Sequence, residues 1–100
     1  MPDLPPLECL RFFDAAARHE NFVRAAEELG VTPAAVAHRV RMLEGHLQAP
    51  LFDRYPRGVG LNSRGRRYHI DVQRILEDIR RSTVLRQARG RRAGLSHAHR

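Results

Sequence analysis

Arginine is the residue type with which this chain of 100 residues can do the most chemistry. All 18 of its basic residues are arginine, and 11 acidic residues leave a formal net charge of +7. The charge is uneven, because residues 51–100 hold thirteen arginines and four acids (+9), whereas residues 1–50 hold five arginines and seven acids (−2). Since a guanidinium pairs with phosphate and with guanine through two parallel hydrogen bonds, the basic half predicts a nucleic-acid partner.

Residues for other chemistries are missing or wrongly spaced. One cysteine cannot form an internal disulfide, and no Cys/His group has zinc spacing, so we expect no metal and no cofactor. We find no nucleophile–base pair, paired carboxylates or phosphate-cradling glycine loop, which argues against an enzyme. No apolar run is long enough to span a membrane, and the acidic N-terminus is not a secretory signal. We therefore expect a cytoplasmic protein of one domain, associated with the nucleoid and without a membrane partner.

The first elements that would position the arginines are three predicted helices. Apolar residues at spacings of three and four predict them over about 7–18, 22–29 and 33–46. Asn21 and Thr32 are suited to cap the second and third helices, and Pro33 suits the first position of the third. Gly30 is a fitting stop for the second. The second and third helices are therefore joined by a very short turn.

The apolar period changes after Pro50. Leu51 begins a short strand and Leu61 a return strand, with two glycines in the turn between them, so a β-hairpin is predicted over about 51–61. A last helix is predicted over about 63–88, capped by Asn62 or Ser63. Residues 89–100 lack an apolar stripe, and we expect them to form a disordered basic tail.

This order of elements is typical of a winged helix-turn-helix. Two helices joined by a short turn containing glycine form the helix-turn-helix, and a hairpin directly after the third helix supplies the wing. We therefore predict a mainly α fold, with a three-helix core and a β-hairpin wing over residues 1–62, followed by the long helix 63–88. In this geometry the third helix enters the DNA major groove.

The motifs within this fold resemble a known family. The stretches RAAEELGVTPAAVAHRVRMLEGHLQAPLFDR and PRGVGLNSRGRRY contain Ala25-Ala26, Leu43-Glu44, the segment from Leu51 to Arg54, and Arg57, Leu61, Asn62 and Gly65. They resemble the N-terminal domain of LysR-type transcriptional regulators, in the branch of glycine-cleavage and β-lactamase activators. The resemblance implies a homodimer that binds an inverted repeat in promoter DNA sequence-specifically, with the last helix as linker and dimerisation helix.

The resemblance also implies which residues contact DNA. Base readout is expected from Pro33, Ala34, Ala37, His38 and Arg39. Backbone and wing contacts are expected from Arg24, Thr32, Arg41, Arg54, Arg57, Arg64, Arg66 and Arg67. An alanine can meet a thymine methyl but cannot donate a hydrogen bond, so hydrogen-bonded readout falls on His38 and Arg39, with Arg39 favoured over Arg41. Val23 stands where the family often has a phosphate-binding hydroxyl, and Arg24 is expected to take over part of that contact.

The dimer contact is expected along the last helix, from Tyr68, Val72, Ile75, Leu76 and Ile79; Tyr68 and Val72 could instead cover the core. Family members usually continue into an effector domain that senses a small molecule, and this sequence shows none. We therefore expect an inducer only if a longer form carries that domain. Two alternatives stay open: a non-specific architectural DNA-binding protein, favoured by the apolar start of the third helix, and a truncated dimerisation inhibitor of a full-length regulator.

Overall fold

The computed structural model describes the backbone of residues 3–97 and the side chains of residues 3–88. Its elements are α1 (Leu7–His19), α2 (Phe22–Leu29), α3 (Pro33–Leu47), β1 (Phe52–Tyr55), β2 (Gly58–Leu61) and α4 (Ser63–His97). This order confirms the predicted winged helix-turn-helix followed by a long helix. None of the described helices combines the length and the apolar character needed to cross a membrane.

Local capping fixes the short turns on either side of α2. The Asn21 side chain accepts a hydrogen bond from the Arg24 N–H at 2.8 Å, and the Thr32 hydroxyl accepts one from the Ala35 N–H at 3.1 Å. Pro33 occupies the first turn of α3, and Gly30 ends α2 with φ 70°, a conformation that glycine adopts without strain. The predicted caps are confirmed, and they set the direction in which α3 leaves the turn.

The core forms around α1, of which seven residues are buried. Phe13 lies at its centre and is fully buried. Its ring contacts Phe52 of β1 and Tyr68 and His69 of α4, with ring centroids 5.7 to 5.8 Å apart. Val36 and two further residues of α3 are buried in the same core. Helix α1 therefore packs against α3, the wing and α4 and joins them in one core.

The junction between the wing and α4 is closely packed. A Cβ on Gly65 would collide with the carbonyl oxygen of Leu51, so only glycine fits there. The Asn62 side chain accepts a hydrogen bond from the Gly65 N–H at 2.7 Å and donates one to the Pro50 carbonyl at 3.0 Å. Asn62 is thus the predicted cap, and it ties the start of α4 to the base of the hairpin.

The last helix is longer than the sequence predicts. We expected it to end near Ala88, but its backbone stays helical to His97, and residues 98–100 of the predicted tail lie outside the described residues. Gly90 inside a helix costs only about 1 kcal/mol relative to alanine, and the surrounding arginines and alanines favour helix. The absence of an apolar stripe therefore did not mark a helix end.

Candidate nucleic-acid interface

The outer face of α3, defined here as Ala34, Ala37, His38 and Arg41, points away from the core. The opposite face of the helix carries the buried residues Val36, Val40 and Leu43. With 3.6 residues per turn, positions 34, 38 and 41 fall on the side opposite these buried residues. Ala34, His38 and Arg41 are exposed and Ala37 is half-buried. A helix with this free face is available to enter a groove.

Arg39 does not belong to that face. It follows the buried Val36 by three residues, which turns its side chain toward α1. Its Nη2 lies 3.1 Å from Oε1 of Glu8, and its Cζ lies 5.9 Å from the centre of the Phe12 ring. Arg39 is thus held against α1 while Arg41 is exposed on the outer face, an arrangement that does not favour the predicted preference for Arg39 over Arg41 in base readout.

The first turn of α3 presents Thr32 and Pro33. Both are exposed. The Thr32 oxygen accepts the capping hydrogen bond from Ala35, so its O–H remains available as a donor. Pro33 removes one N–H from the helix N-terminus, which weakens that end as an anion site. A phosphate contact here would rely on the Thr32 hydroxyl.

The wing presents Arg54 and Arg57 beside the start of α2. Arg54 packs over the ring of Phe22, with its Cζ 5.5 Å from the ring centre, and Arg57 is exposed at the turn. Tyr55, which we did not predict as part of this surface, is exposed between them. Its place directly before the two-residue turn already indicates that it lies at the hairpin tip. Tyr55 and Arg57 line a shallow hollow with the exposed Val23 of α2.

Three arginines mark the start of α4. Arg64, Arg66 and Arg67 are all exposed, and Arg66 donates a hydrogen bond to the Leu61 carbonyl at 2.8 Å. Burial, with a smaller contribution from the charge of Asp71, raises the pKa of Tyr68.

Most arginines predicted to contact DNA lack an acidic partner among the side chains of residues 3–88. We call seven of them the unpaired arginine set: Arg24, Arg41, Arg54, Arg57, Arg64, Arg66 and Arg67. Over the side chains that the structure describes, the basic groups that do form ion pairs are Arg18, His19, Arg39, His69, Arg80 and Arg81. Uncompensated guanidinium groups of this kind attract phosphate.

A polar network of the opposite kind joins three helices, α1, α2 and α4. We call it the α1–α2–α4 network; its members are Asp14, Arg18, His19, Glu28 and His69. Arg18 bridges Asp14, at 3.1 Å, and Glu28; His19 lies 2.8 Å from Glu28, and His69 lies 2.8 Å from Asp14. Hydrogen bonds from Arg18, and secondarily from His19, lower the pKa of Glu28 to about 2. The same pairing with Glu28 raises the pKa of Arg18.

The predicted dimer seam divides into two parts. Val72 and Leu76 are 0% and 9% exposed and belong to the core, so they are withdrawn from the predicted interface. Tyr68 packs partly against the same core. Ile75 and Ile79 remain 44% and 42% exposed and present an apolar surface to solvent.

Comparison with known proteins decides the family. The family model described as bacterial regulatory helix-turn-helix protein, lysR family, matches residues 7–66, from the start of α1 into the first turn of α4. The chain belongs to the LysR family. The resemblance found in the sequence motifs is thereby confirmed, and the LysR match contains the whole outer face of α3 and the wing.

Relatives of this LysR domain include transcriptional activators. The glycine cleavage system transcriptional activator of Escherichia coli K12 is 46% identical over 93 residues, which is 93% of this chain and 30% of that protein. The activator AmpR of Pseudomonas aeruginosa is 55% identical over 60 residues, 60% of this chain and 20% of that protein. The chain therefore spans about 30% of the length of the Escherichia coli relative.

Solved LysR structures share the fold. The crystal structure of the CbnR_DBD-DNA complex matches with a TM-score of 0.77 and 30% identity, covering 85% of this chain and 98% of that one. Full-length CbnR complexed with its target DNA matches with a TM-score of 0.76 and 31% identity, covering 83% of this chain and 29% of that one.

Proposed function

We propose that this LysR domain binds double-stranded DNA sequence-specifically, as part of a transcriptional regulator, with α3 in the major groove. The observation that carries the proposal is the exposed outer face of α3 on a body whose unpaired arginine set has no acidic partner among the described side chains. The fold match to the CbnR_DBD-DNA complex supports it. Such a protein would act at promoter DNA in the bacterial cytoplasm.

In this proposal the outer face of α3 reads bases. Ala34 and Ala37 would contact thymine methyl groups, and His38 and Arg41 would hydrogen-bond to base edges, where an arginine suits guanine. Thr32 and the other members of the unpaired arginine set would contact phosphates. Phosphate contacts fix the position of the protein on the duplex, and base contacts supply the specificity.

We further propose that two copies pair through α4. Ile75 and Ile79 lie one turn apart, and both remain exposed after the core has formed. Isolated apolar side chains on a surface are ordinary, but a pair in line on a long helix suits a helix–helix contact. A twofold pair would place two α3 helices on successive turns of an inverted repeat, about 34–36 Å apart.

Non-specific binding is the second candidate, because two of the four residues on the outer face of α3 are alanines that donate no hydrogen bond. Selection from a random duplex library at a stated salt concentration separates the two functions. We expect an enriched inverted repeat, bound at least about 1,000-fold more tightly than a scrambled duplex. Selection that enriches no motif would contradict the specific function and favour the non-specific one.

The dimer has its own test. Ile75→Asp combined with Ile79→Asp should leave the fold intact, because both side chains are exposed, and should convert a dimer into a monomer in sedimentation. Asp substitution of the exposed Val84, farther along α4, is the matched control and should leave the dimer unchanged. A dimer that survives the double substitution would refute the contact.

A further inference from the structure

Arg39 differs from every other arginine predicted to contact DNA. Within the described side chains, it alone among them has an acidic partner, Glu8 in the first turn of α1. Its guanidinium also packs over the ring of Phe12, one turn farther along α1. Two separate contacts therefore direct this side chain away from the outer face of α3.

We propose that Glu8 is a positioning residue that keeps Arg39 off the DNA phosphates and so limits the sequence-independent part of the affinity. With Arg39 held on α1, α3 presents a single guanidinium, that of Arg41, together with His38. This inference rests on the proposed DNA binding. Glu8 itself makes no contact with DNA in this arrangement and acts through the position of Arg39.

The position of Glu8 is well defined by the local structure. A carboxylate in the first turn of a helix interacts favourably with the helix dipole, so Glu8 suits α1 independently of Arg39. Phe12 is buried, which fixes the ring over which the guanidinium lies. Both partners of the ion pair are partly exposed, Arg39 at 34% and Glu8 at 48%. An ion pair this exposed is weak, and a nearby phosphate can compete for it.

Retention of this kind affects affinity on every sequence and leaves the specificity ratio unchanged. A released Arg39 would add a phosphate contact, which is available on every DNA sequence and therefore carries no information. Specificity is the difference between affinities for the correct and the incorrect duplex. By holding Arg39 back, Glu8 lowers binding to all sequences and leaves discrimination to the outer face of α3.

The test uses Glu8→Gln in the full chain. Affinity is measured by fluorescence anisotropy for the selected operator duplex and for a scrambled duplex, between 50 and 200 mM salt. We expect affinity for both duplexes to rise about 3- to 10-fold and the ratio of the two affinities to stay unchanged. We also expect the slope of log affinity against log salt to steepen by about 0.9, the value for one added phosphate contact.

The matched control is Glu27→Gln, which removes the same charge from an exposed residue that forms no ion pair among the described side chains. It should change affinity less than 2-fold and leave the salt slope unchanged. An equal gain in Glu27→Gln and Glu8→Gln would mean that net charge alone is responsible, and would overturn the proposal.

Arg39→Gln and its combination with Glu8→Gln complete a double-mutant cycle. Arg39→Gln should change affinity less than 2-fold when Glu8 is present and should abolish the gain when combined with Glu8→Gln. A loss of more than about 5-fold in Arg39→Gln alone would show that Arg39 already contacts DNA, and would overturn this inference while leaving the proposed DNA binding in place. If the unmodified chain binds no duplex at any salt, both proposals fail together.

Discussion

The unpaired arginine set and the α1–α2–α4 network both contain arginine, but the guanidinium groups lie in different electrostatic surroundings. In the network, Arg18 contacts two carboxylates and joins α1 to α2, while His69 joins Asp14 to α4. In the unpaired set the guanidinium groups have no carboxylate within reach in the described part of the chain, and most extend into solvent. What separates the two regions is whether a carboxylate lies beside the guanidinium, as Asp14 and Glu28 do beside Arg18.

The comparison shows that an arginine count says little about DNA contact by itself. Arg39 and Arg41 are two residues apart on the helix that would enter the groove, yet among the described side chains Arg39 is paired with Glu8 and Arg41 has no acidic partner. Where an acid compensates an arginine, the pair contributes to the fold and adds little to phosphate attraction. Substitutions in the two regions should therefore have separable effects on DNA binding and on stability.

Arg41→Ala should give the largest effect on DNA binding. Arg41 is the unpaired arginine on the outer face of α3, so its loss should weaken operator binding about 10- to 100-fold and relax the preference at one base position. Repeating the duplex selection with the variant checks the base preference. Equal weakening on operator and scrambled duplexes would mean that Arg41 contacts phosphate only.

Much of the structure behind this prediction could be read from the sequence. The caps Asn21 and Thr32 act on N–H groups three residues away, and Gly30 acts on its own backbone, so short-range rules suffice. The outer face of α3 follows from helical periodicity in the same way. The partner of Arg39 could not be found by such rules, because Glu8 lies 31 residues earlier and meets it only after α1 and α3 have packed.

The predicted dimer contact on α4 shows a second point that helical periodicity could not predict. The repeat on α4 identified an apolar side, but it did not show how far another helix covers that side. Val72 and Leu76 are buried in the core, whereas Ile75, which lies between them in sequence, and Ile79, which follows them, are exposed. Which residues of the apolar side are covered depends on the packing of the other elements against α4.

Arg57→Ala should have a smaller and less selective effect. Arg57 lies at the turn of the wing without an acidic partner among the described side chains. Its loss should weaken operator and scrambled duplexes alike, by about 3- to 10-fold, and reduce the salt slope by about 0.9. A salt titration on both duplexes measures this. A changed base preference would place Arg57 on base edges instead.

Arg18→Ala should affect stability and leave DNA binding nearly unchanged. It removes the common partner of Asp14 and Glu28, both of which are then left without their guanidinium. Because the network is partly exposed, the loss is about 1 kcal/mol, which lowers the melting temperature by about 4–8 °C in a domain of this size. Thermal unfolding measures it, with Arg74→Ala, an exposed arginine of α4, as the control. A 10-fold loss of DNA affinity at a temperature where the variant is folded would contradict the separation of the two regions.

The smallest effect concerns acid stability, and it tests the network through Glu28. The pKa of Glu28 is lowered in the folded chain from 4.5 to about 2, so the native state binds this proton less readily than the unfolded chain. The resulting stabilisation is fully present above about pH 5 and is lost as the pH falls toward 2. Since Glu28 is partly exposed, the stabilisation is at most about 1 kcal/mol. Glu28→Gln should flatten the decline in unfolding free energy between pH 5 and pH 2, measured by urea denaturation, whereas Glu27→Gln should leave it unchanged. If the two variants lose stability in parallel over this range, Arg18 and His19 do not hold Glu28 ionised, and the contrast with the unpaired arginine set loses its electrostatic basis.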